Sequence, residues 1–336
     1  MELLTLDKLP KNVLEKLDLQ SAHRASAVII AAEKFGLFRK LSGKKLTSGE
    51  IGKRTGIHAN YRDFFLGTLV GLGMLWKKDG RFSNTKLAEK YFVKIRSEEW
   101  TRCYSAEMIA ELESFSCLMQ VLESGKSSDQ IRATKSEDYV EAMKKDPKRA
   151  RDFTYMLYYY HQPHAGRLAD MVDLSRCKQL LDIGGGSGVM TIALAKKHRG
   201  FKATILDIEP VCRTARKIIR NNKLQDRIDT QTGDIFEDIP DGYDHILTSD
   251  IGTPLYELLD HIYPRLPFGG KLIMADIFFS DDLTAPLERL FWKLISTDRR
   301  VYPIGKFITK LRKLGFKSIK KRKVYEDMWL LTAVKK

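Results

Sequence analysis

The sequence predicts an α/β chain in two main parts: an N-terminal, essentially all-α domain of winged-helix pattern, then a Rossmann-like, doubly wound parallel sheet whose last strand is reversed. Three observations carry this. From Gln179 onward, short apolar strands alternate with helical patterns, as in a parallel sheet covered on both faces. The tail breaks the alternation, because residues 317–325 and 328–334, joined at Glu326-Asp327, read as an antiparallel pair. Within the first 96 residues, a helix-turn-helix is followed by a small hairpin.

Residues 13–40 carry apolar side chains at helical spacing, among them Val13, Leu14, Leu17, Ala27, Val28, Ala31 and Phe35. Thr47 and Glu50 form a Thr-x-x-Glu capping pattern, which starts a helix near Thr47, and Gly56 ends it. Residues 61–72 read as the next helix. The Lys-Asp-Gly turn before Arg81 then joins two short strands. A long helical pattern covers 98–122, a Ser/Gly loop covers 124–128, and shorter helices cover 139–143 and 148–160. The last of these is aromatic-rich, with Phe153, Met156 and Tyr160 on one face. His161-Gln162-Pro163-His164 interrupts the run, and a new helix is expected over 164–172. Leu174-Ser175-Arg176 leads into the sheet. The expected division is thus 1–96, 97–173 and 174–336.

The most informative stretch is Leu180-Leu181-Asp182-Ile183-Gly184-Gly185-Gly186-Ser187-Gly188. It reads as strand, tight glycine turn and helix N-terminus. Such a turn lets backbone N–H groups approach a ligand that any side chain would hold off. Because an acid, Asp182, precedes the glycines, the motif suits a ligand with a positive end better than a pyrophosphate. Residues 202–207 form a second strand ending in Asp207, placed to bind ribose hydroxyls. Asp234 stands beside Ile235 and Phe236, which suits an adenine amino group and its face. Residues 243–249 and 267–276 supply further strands.

This series resembles the class I S-adenosylmethionine-dependent methyltransferases. The flanking stretches are similar to the acetylserotonin/caffeate-type O-methyltransferases, over nearly the whole chain. The resemblance implies S-adenosylmethionine as cofactor and S-adenosylhomocysteine as product. It implies a cofactor site at Asp182, Gly184, Gly186, Asp207, Ile208, Asp234, Ile235 and Ser249. It also implies a small aromatic or conjugated acceptor, and a winged helix that pairs subunits into a homodimer rather than reading DNA.

One part of the family pattern is missing. The family's catalytic histidine aligns with Thr253, its partner acid with Pro254 and a cofactor-side lysine with Ser249. Threonine is no general base near neutral pH. Candidates for that role are Asp250, at the end of a strand, and His161 and His164, beside the aromatic helix. A capping or hydrogen-bonded role for either histidine is the simpler alternative. Metal binding by the two is a third, for which no full ligand set is visible. His245 reads as structural. Met156, Tyr160, Asp276 and Trp292 are candidate acceptor contacts, although Met156, Trp292 and Phe291 also suit a core. The missing pair leaves C- or N-methylation open, since an enolate or amine needs a weaker base or none.

Composition sets the remaining bounds. The net charge of +15 is uneven: +10 over residues 1–96, +11 over 293–336 and −6 between them. A basic winged helix raises the alternative of a DNA-binding regulator that senses S-adenosylmethionine. The residues Tyr61, Arg62 and Asp63 are a poor base-reading set, however, and a solvated lysine-rich face accounts for the charge. No apolar run approaches the ~20 residues that span a bilayer. Four scattered cysteines and an N-terminus without a basic leader make a reducing, cytoplasmic setting the expectation.

Overall fold

The protein is described from a computed structural model, which covers residues 4–15, 17–18, 22–94, 98–134, 139–325 and 327–336. Residue 16 and residues 19–21, inside the first expected helical stretch, and Glu326 of the tail turn lie outside the described residues. The chain forms two compact units, Met1–Ser116 and Cys117–Lys336. No helix among the described residues is long and apolar enough to cross a membrane.

In the first unit, helices Ala22–Lys34 and Leu37–Leu41 precede the pair Ser48–Thr55 and Ala59–Gly71. Thr47 caps the third of these as its sequence predicts: its hydroxyl accepts from Glu50 N, while the Glu50 carboxylate accepts from Thr47 N at 2.7 Å. Strands β1 (Leu46–Thr47), β2 (Leu75–Lys78) and β3 (Arg81–Asn84) form an antiparallel sheet in the order β1-β3-β2. The β2–β3 turn places Asp79 and Gly80 at φ 49° and 72°, the backbone of a tight Asp-Gly hairpin. The unit is therefore helical with a small sheet, one strand larger than the expected hairpin. Phe38, Leu41, Leu66, Leu69, Met74 and Phe82 fill its core.

The single helix expected over 98–122 is two helices, Glu98–Phe115 and Leu118–Ser124. Ser114 and Ser116 turn their hydroxyls back onto the carbonyls of Ala110 and Glu113, a local competition that ends helices.

The second unit is a seven-stranded sheet: β4 (Gln179–Ile183), β5 (Lys202–Asp207), β6 (Ile228–Thr232), β7 (His245–Ser249), β8 (Lys271–Asp276), β9 (Phe316–Tyr325) and β10 (Met328–Lys335). Their order is β6-β5-β4-β7-β8-β10-β9. The first five are mutually parallel, β10 runs antiparallel to β8 with Met274 opposite Leu331, and β9 pairs antiparallel with β10. Successive side chains point to opposite faces, so Leu180, Leu247 and Ile273 join one buried layer, and Leu181, Ile246 and Met274 the other. The first layer is closed by helices Gln162–Met171 and Val189–Lys197, the second by Leu255–Arg265 and Ile304–Leu314. Strands β4, β5, β7 and β8 all end in residues chosen from the sequence as site candidates or next to them.

Candidate functional site

The turn after β4 has the geometry its glycines allow. Gly184 and Gly186 take φ 62° and 58°, a region that side chains avoid. A Cβ at Gly186 would meet nothing within 4 Å, so this part of the turn faces open space. At Gly185 a Cβ would lie 2.6 Å from the Asp182 carboxyl. Gly185→Ala is therefore expected to destabilise the fold by about 1–3 kcal/mol through overpacking, read from denaturant midpoints; an unchanged midpoint would show that the turn relaxes freely.

Asp182 lies beneath this turn, fully buried, and accepts from the Thr191 hydroxyl at 2.7 Å. Burial pushes its carboxyl up to about 7. It packs against Gly185 and so shapes the turn from within the fold. Asp207, at the end of β5, accepts from Gly186 N at 2.9 Å and from Ile208 N at 2.8 Å. Burial raises this carboxyl to about 6, the two amide bonds pulling the other way. Ile208 is buried at the start of helix Glu209–Asn221. Ile235 and Ile251 are the side chains nearest the Cβ position of Gly184, which brings the loops after β6 and β7 over the turn. Asp234 is exposed, its carboxylate accepting from Phe236 N, and Ser249 closes β7.

A second cluster lies at the end of β7. Asp250 has φ 47°, a strained value for a residue with a side chain. There it joins two partners from distant elements: His161 Nε2 stands 3.1 Å from Oδ2, and the Arg289 guanidinium donates to Oδ1. Burial alone would raise the Asp250 carboxyl, but His161 and Arg289 together hold it below the usual carboxylate range. His161 closes helix Pro147–Tyr160 and opens helix Gln162–Met171, which starts two residues before the expected His164 because Pro163 suits a first turn. The ring of His161 is buried and its Nδ1 has no hydrogen-bond partner among the described residues. His164 packs 5.3 Å from His161, edge-on to Tyr325 and tilted against Tyr160. Burial first, then the neighbouring His161, lowers it to about 4, so it is neutral at pH 7 and a weak base.

Between β7, β8 and helix Leu287–Ile295 lies a cavity of about 220 Å³. Arg289, Trp292, Lys293 and Ser296 face it at helical spacing, opposite Thr253 and Asp276. Asp276 is buried, and its oxygens accept from the amides of Ile251, Gly252 and Ile277. Burial, reinforced by the nearby Asp250, raises it to about 6. Trp292 thus lines the cavity, whereas Met156 is half-buried on helix Pro147–Tyr160 and does not. Sequence reasoning missed Arg289 and Lys293. Their signal was a basic pair, i and i+4, on one face of a helix whose other face is apolar. Cys177, Asp244 and His245 also gather, at the opposite end of the sheet, where His245 Nδ1 stands 2.6 Å from the Asp244 carboxylate.

Comparison with known proteins follows the same lines. The model of the O-methyltransferase domain matches residues 115–299. The chain is 27% identical to 3-hydroxy-5-methyl-1-naphthoate 3-O-methyltransferase of Streptomyces sahachiroi, over 90% of this chain and 89% of that one. It is also 27% identical to L-tyrosine C(3)-methyltransferase of Streptomyces lavendulae, over 85% and 82%. Its fold is similar to that of human N-acetylserotonin methyltransferase solved with S-adenosylmethionine: TM-score 0.78, 20% identity, 95% and 96% of the two chains covered.

Proposed function

The chain belongs to the O-methyltransferase domain family, and from that premise we propose that it moves a methyl group from S-adenosylmethionine to a hydroxyl of a small aromatic acceptor. The observation that carries the reading is the pairing of Asp250 with His161 beside the cavity, at the carboxyl end of β7, which lies next to β4 and its glycine turn in the sheet. The cofactor suits the residues present. Gly186 leaves its turn open, and the Asp207 oxygens, each holding one backbone amide, keep lone pairs for ribose hydroxyls. Asp234 and Ile235 stand where the adenine would be held, and Ile208 and Ser249 border the site. Asp182 supports the turn from beneath.

When bound, the cofactor supplies an electrophilic methyl on sulfur. The protein's task is to hold the acceptor in line and remove its proton, and orientation alone contributes on the order of 7–11 kcal/mol at best. Asp250 is the more exposed member of the pair, 24% against 6% for the His161 side chain. It takes the hydroxyl proton and passes it to Nε2 of His161, 3.1 Å behind it, which regenerates the carboxylate. His164 packs the imidazole in place. Tyr160 lies edge-on to His161 and tilted against His164, and Asp276, by holding the amides of Ile251 and Gly252, fixes the loop that carries Thr253.

The test is direct: incubation with S-adenosylmethionine and a panel of phenols and naphthols, followed by intact mass. A gain of one methyl that is lost on ether cleavage with boron tribromide supports oxygen as the acceptor; a methyl that resists it supports methylation at carbon. Thr253 and Pro254, in place of the family's base pair, are the observation that favours this second reading, and one similar relative is named for methylation at carbon.

The same reading assigns residues 1–96 to dimerisation, 97–173 to a helical connector that supplies His161, and 174–336 to cofactor binding, in a cytoplasmic enzyme whose four cysteines are free thiols. Support for a homodimer comes from helix Ala59–Gly71, which exposes Tyr61 and Phe64 at 74% and 79% on one face. Two bare aromatics suit a protein partner better than a phosphate backbone. Phe64→Glu is expected to convert the dimer to monomer in sedimentation. A variant that stays dimeric, with a salt-sensitive shift of duplex DNA, would favour the regulator instead.

A further inference from the structure

We propose that the acceptor carries a carboxylate, and that Lys293 is the residue that binds it. The inference rests on the methyltransferase reading and adds to it the chemical class of the acceptor.

Two features of the cavity point this way. Its walls are largely aromatic, with Phe278, Trp292, Tyr302 and Phe307 around the floor formed by Asp276 and Gly252. That is the lining a flat ring system fills. The same walls carry three cations, and these differ in what they hold. Arg289 is committed to Asp250. Arg300 is committed to Asp298, at 3.0 Å through Nε, and to Glu257 at 3.4 Å. Lys293 is the most loosely paired of the three among the described residues. Its ammonium donates to the backbone carbonyl of Asp298 at 2.7 Å and reaches Thr253 Oγ1 at 3.4 Å, while the nearest carboxylate oxygen stands at 4.0 Å.

Lys293 is also partly withdrawn from water, its side chain 19% exposed. Burial, and then Arg300 and Arg289 nearby, lower its affinity for a proton against the pull of Asp298. An ammonium held this way, between like charges and with its best acceptor a neutral carbonyl, gains most from an anion that enters with the ligand. Asp276 is turned to its own loop, Oδ2 holding the amides of Ile251 and Gly252 and Oδ1 that of Ile277, and among the described residues no ion pair joins it to Lys293. Lys293 also points at Thr253, the position that lacks the family's base. The space a histidine would fill there is thus bordered by a cation, and a carboxylate placed against it orients the ring without any proton transfer.

The experiment uses the full chain and a matched pair of probes, 6-hydroxy-2-naphthoate and 6-hydroxy-2-naphthamide, which differ in charge and little in shape. Calorimetry first establishes binding of S-adenosylhomocysteine, then measures each probe on the saturated protein. The acid is expected to bind at least about 10-fold more tightly than the amide, the scale of one hydrogen bond to a charged group. Lys293→Met should remove that preference and leave the amide unchanged, and Lys293→Arg should restore part of it. Equal affinity of the two probes for the wild-type protein, binding of neither, or a Lys293→Met variant that weakens both alike would overturn the carboxylate proposal. Failure to bind S-adenosylhomocysteine would instead sink the methyltransferase reading beneath it, so the two failures are distinct. A thermal melt of each variant shows whether a lost preference reflects a lost fold.

Discussion

Asp250→Asn is expected to lower single-turnover methylation of a hydroxyl acceptor by about 100-fold or more, with S-adenosylhomocysteine affinity unchanged. The substitution keeps the size of the side chain and removes its charge. It leaves Arg289 without its carboxylate and His161 without the carboxylate that stands 3.1 Å from its Nε2. Because the two residues act as one unit, His161→Ala should cost about as much as Asp250→Asn, and the double variant little more than either. His164→Ala should cost far less, since that ring is neutral and serves to pack His161. Near-native rates in both Asp250→Asn and His161→Ala would mean that no protein base acts here. The acceptor would then arrive already nucleophilic, and methylation at carbon or nitrogen would be the better reading.

Asp207→Ala is expected to weaken S-adenosylhomocysteine binding by about 1.5–3 kcal/mol, the range for losing hydrogen bonds to a charged group. A pH dependence follows from the same residue. Its carboxyl is raised to about 6 in the free protein, and ribose hydroxyls donate most strongly to the ionised form, because protonation turns one oxygen into a donor. Below that value, binding must first drive off a proton, so affinity is full above pH 7 and declines as pH falls through about 6. Titrations at pH 5 and pH 7.5 should differ for the wild type and agree for Asp207→Asn. An affinity insensitive to both pH and substitution would remove Asp207 from the cofactor site.

What the sequence made legible, and what it hid, has a common physical cause. Strands β4, β5, β7 and β8 stood out because both faces are buried, which forces continuous apolar runs ending in Gly or Asp. Strand β6 did not, because an edge strand reading Ile-Asp-Thr-Gln-Thr has no such run. The glycine turn and Asp207 were readable for a local reason: they sit at strand ends, where backbone geometry alone restricts the residue type. The Arg289–Asp250 contact was not, since it joins residues 39 apart through a helix whose docking no local pattern specifies. Asp182 was legible as important, but its packing against Gly185 was not. An acid before a glycine turn has the same sequence whether or not it packs against the loop, and only the closeness of Gly185 tells which.

The strand order has a consequence for how the chain is made. Synthesis lays down β4 first, and β5 and β6 extend the sheet to one side, β7 and β8 to the other. At that moment β8 has a finished neighbour on one flank and a bare row of amides on the other, along Leu272, Ile273, Met274 and Ala275, all of which end fully buried. That flank stays open until residues 328–335 have left the ribosome and turned back. An apolar strand with an unpaired edge is a template for another chain. The lysines of β9, Lys317, Lys320, Lys321 and Lys323, come just before the closing strand and end as the sheet's outermost edge. In the closed sheet they line the exposed edge with positive charge, so the strand left without a neighbour is one that another copy of the chain is repelled from joining.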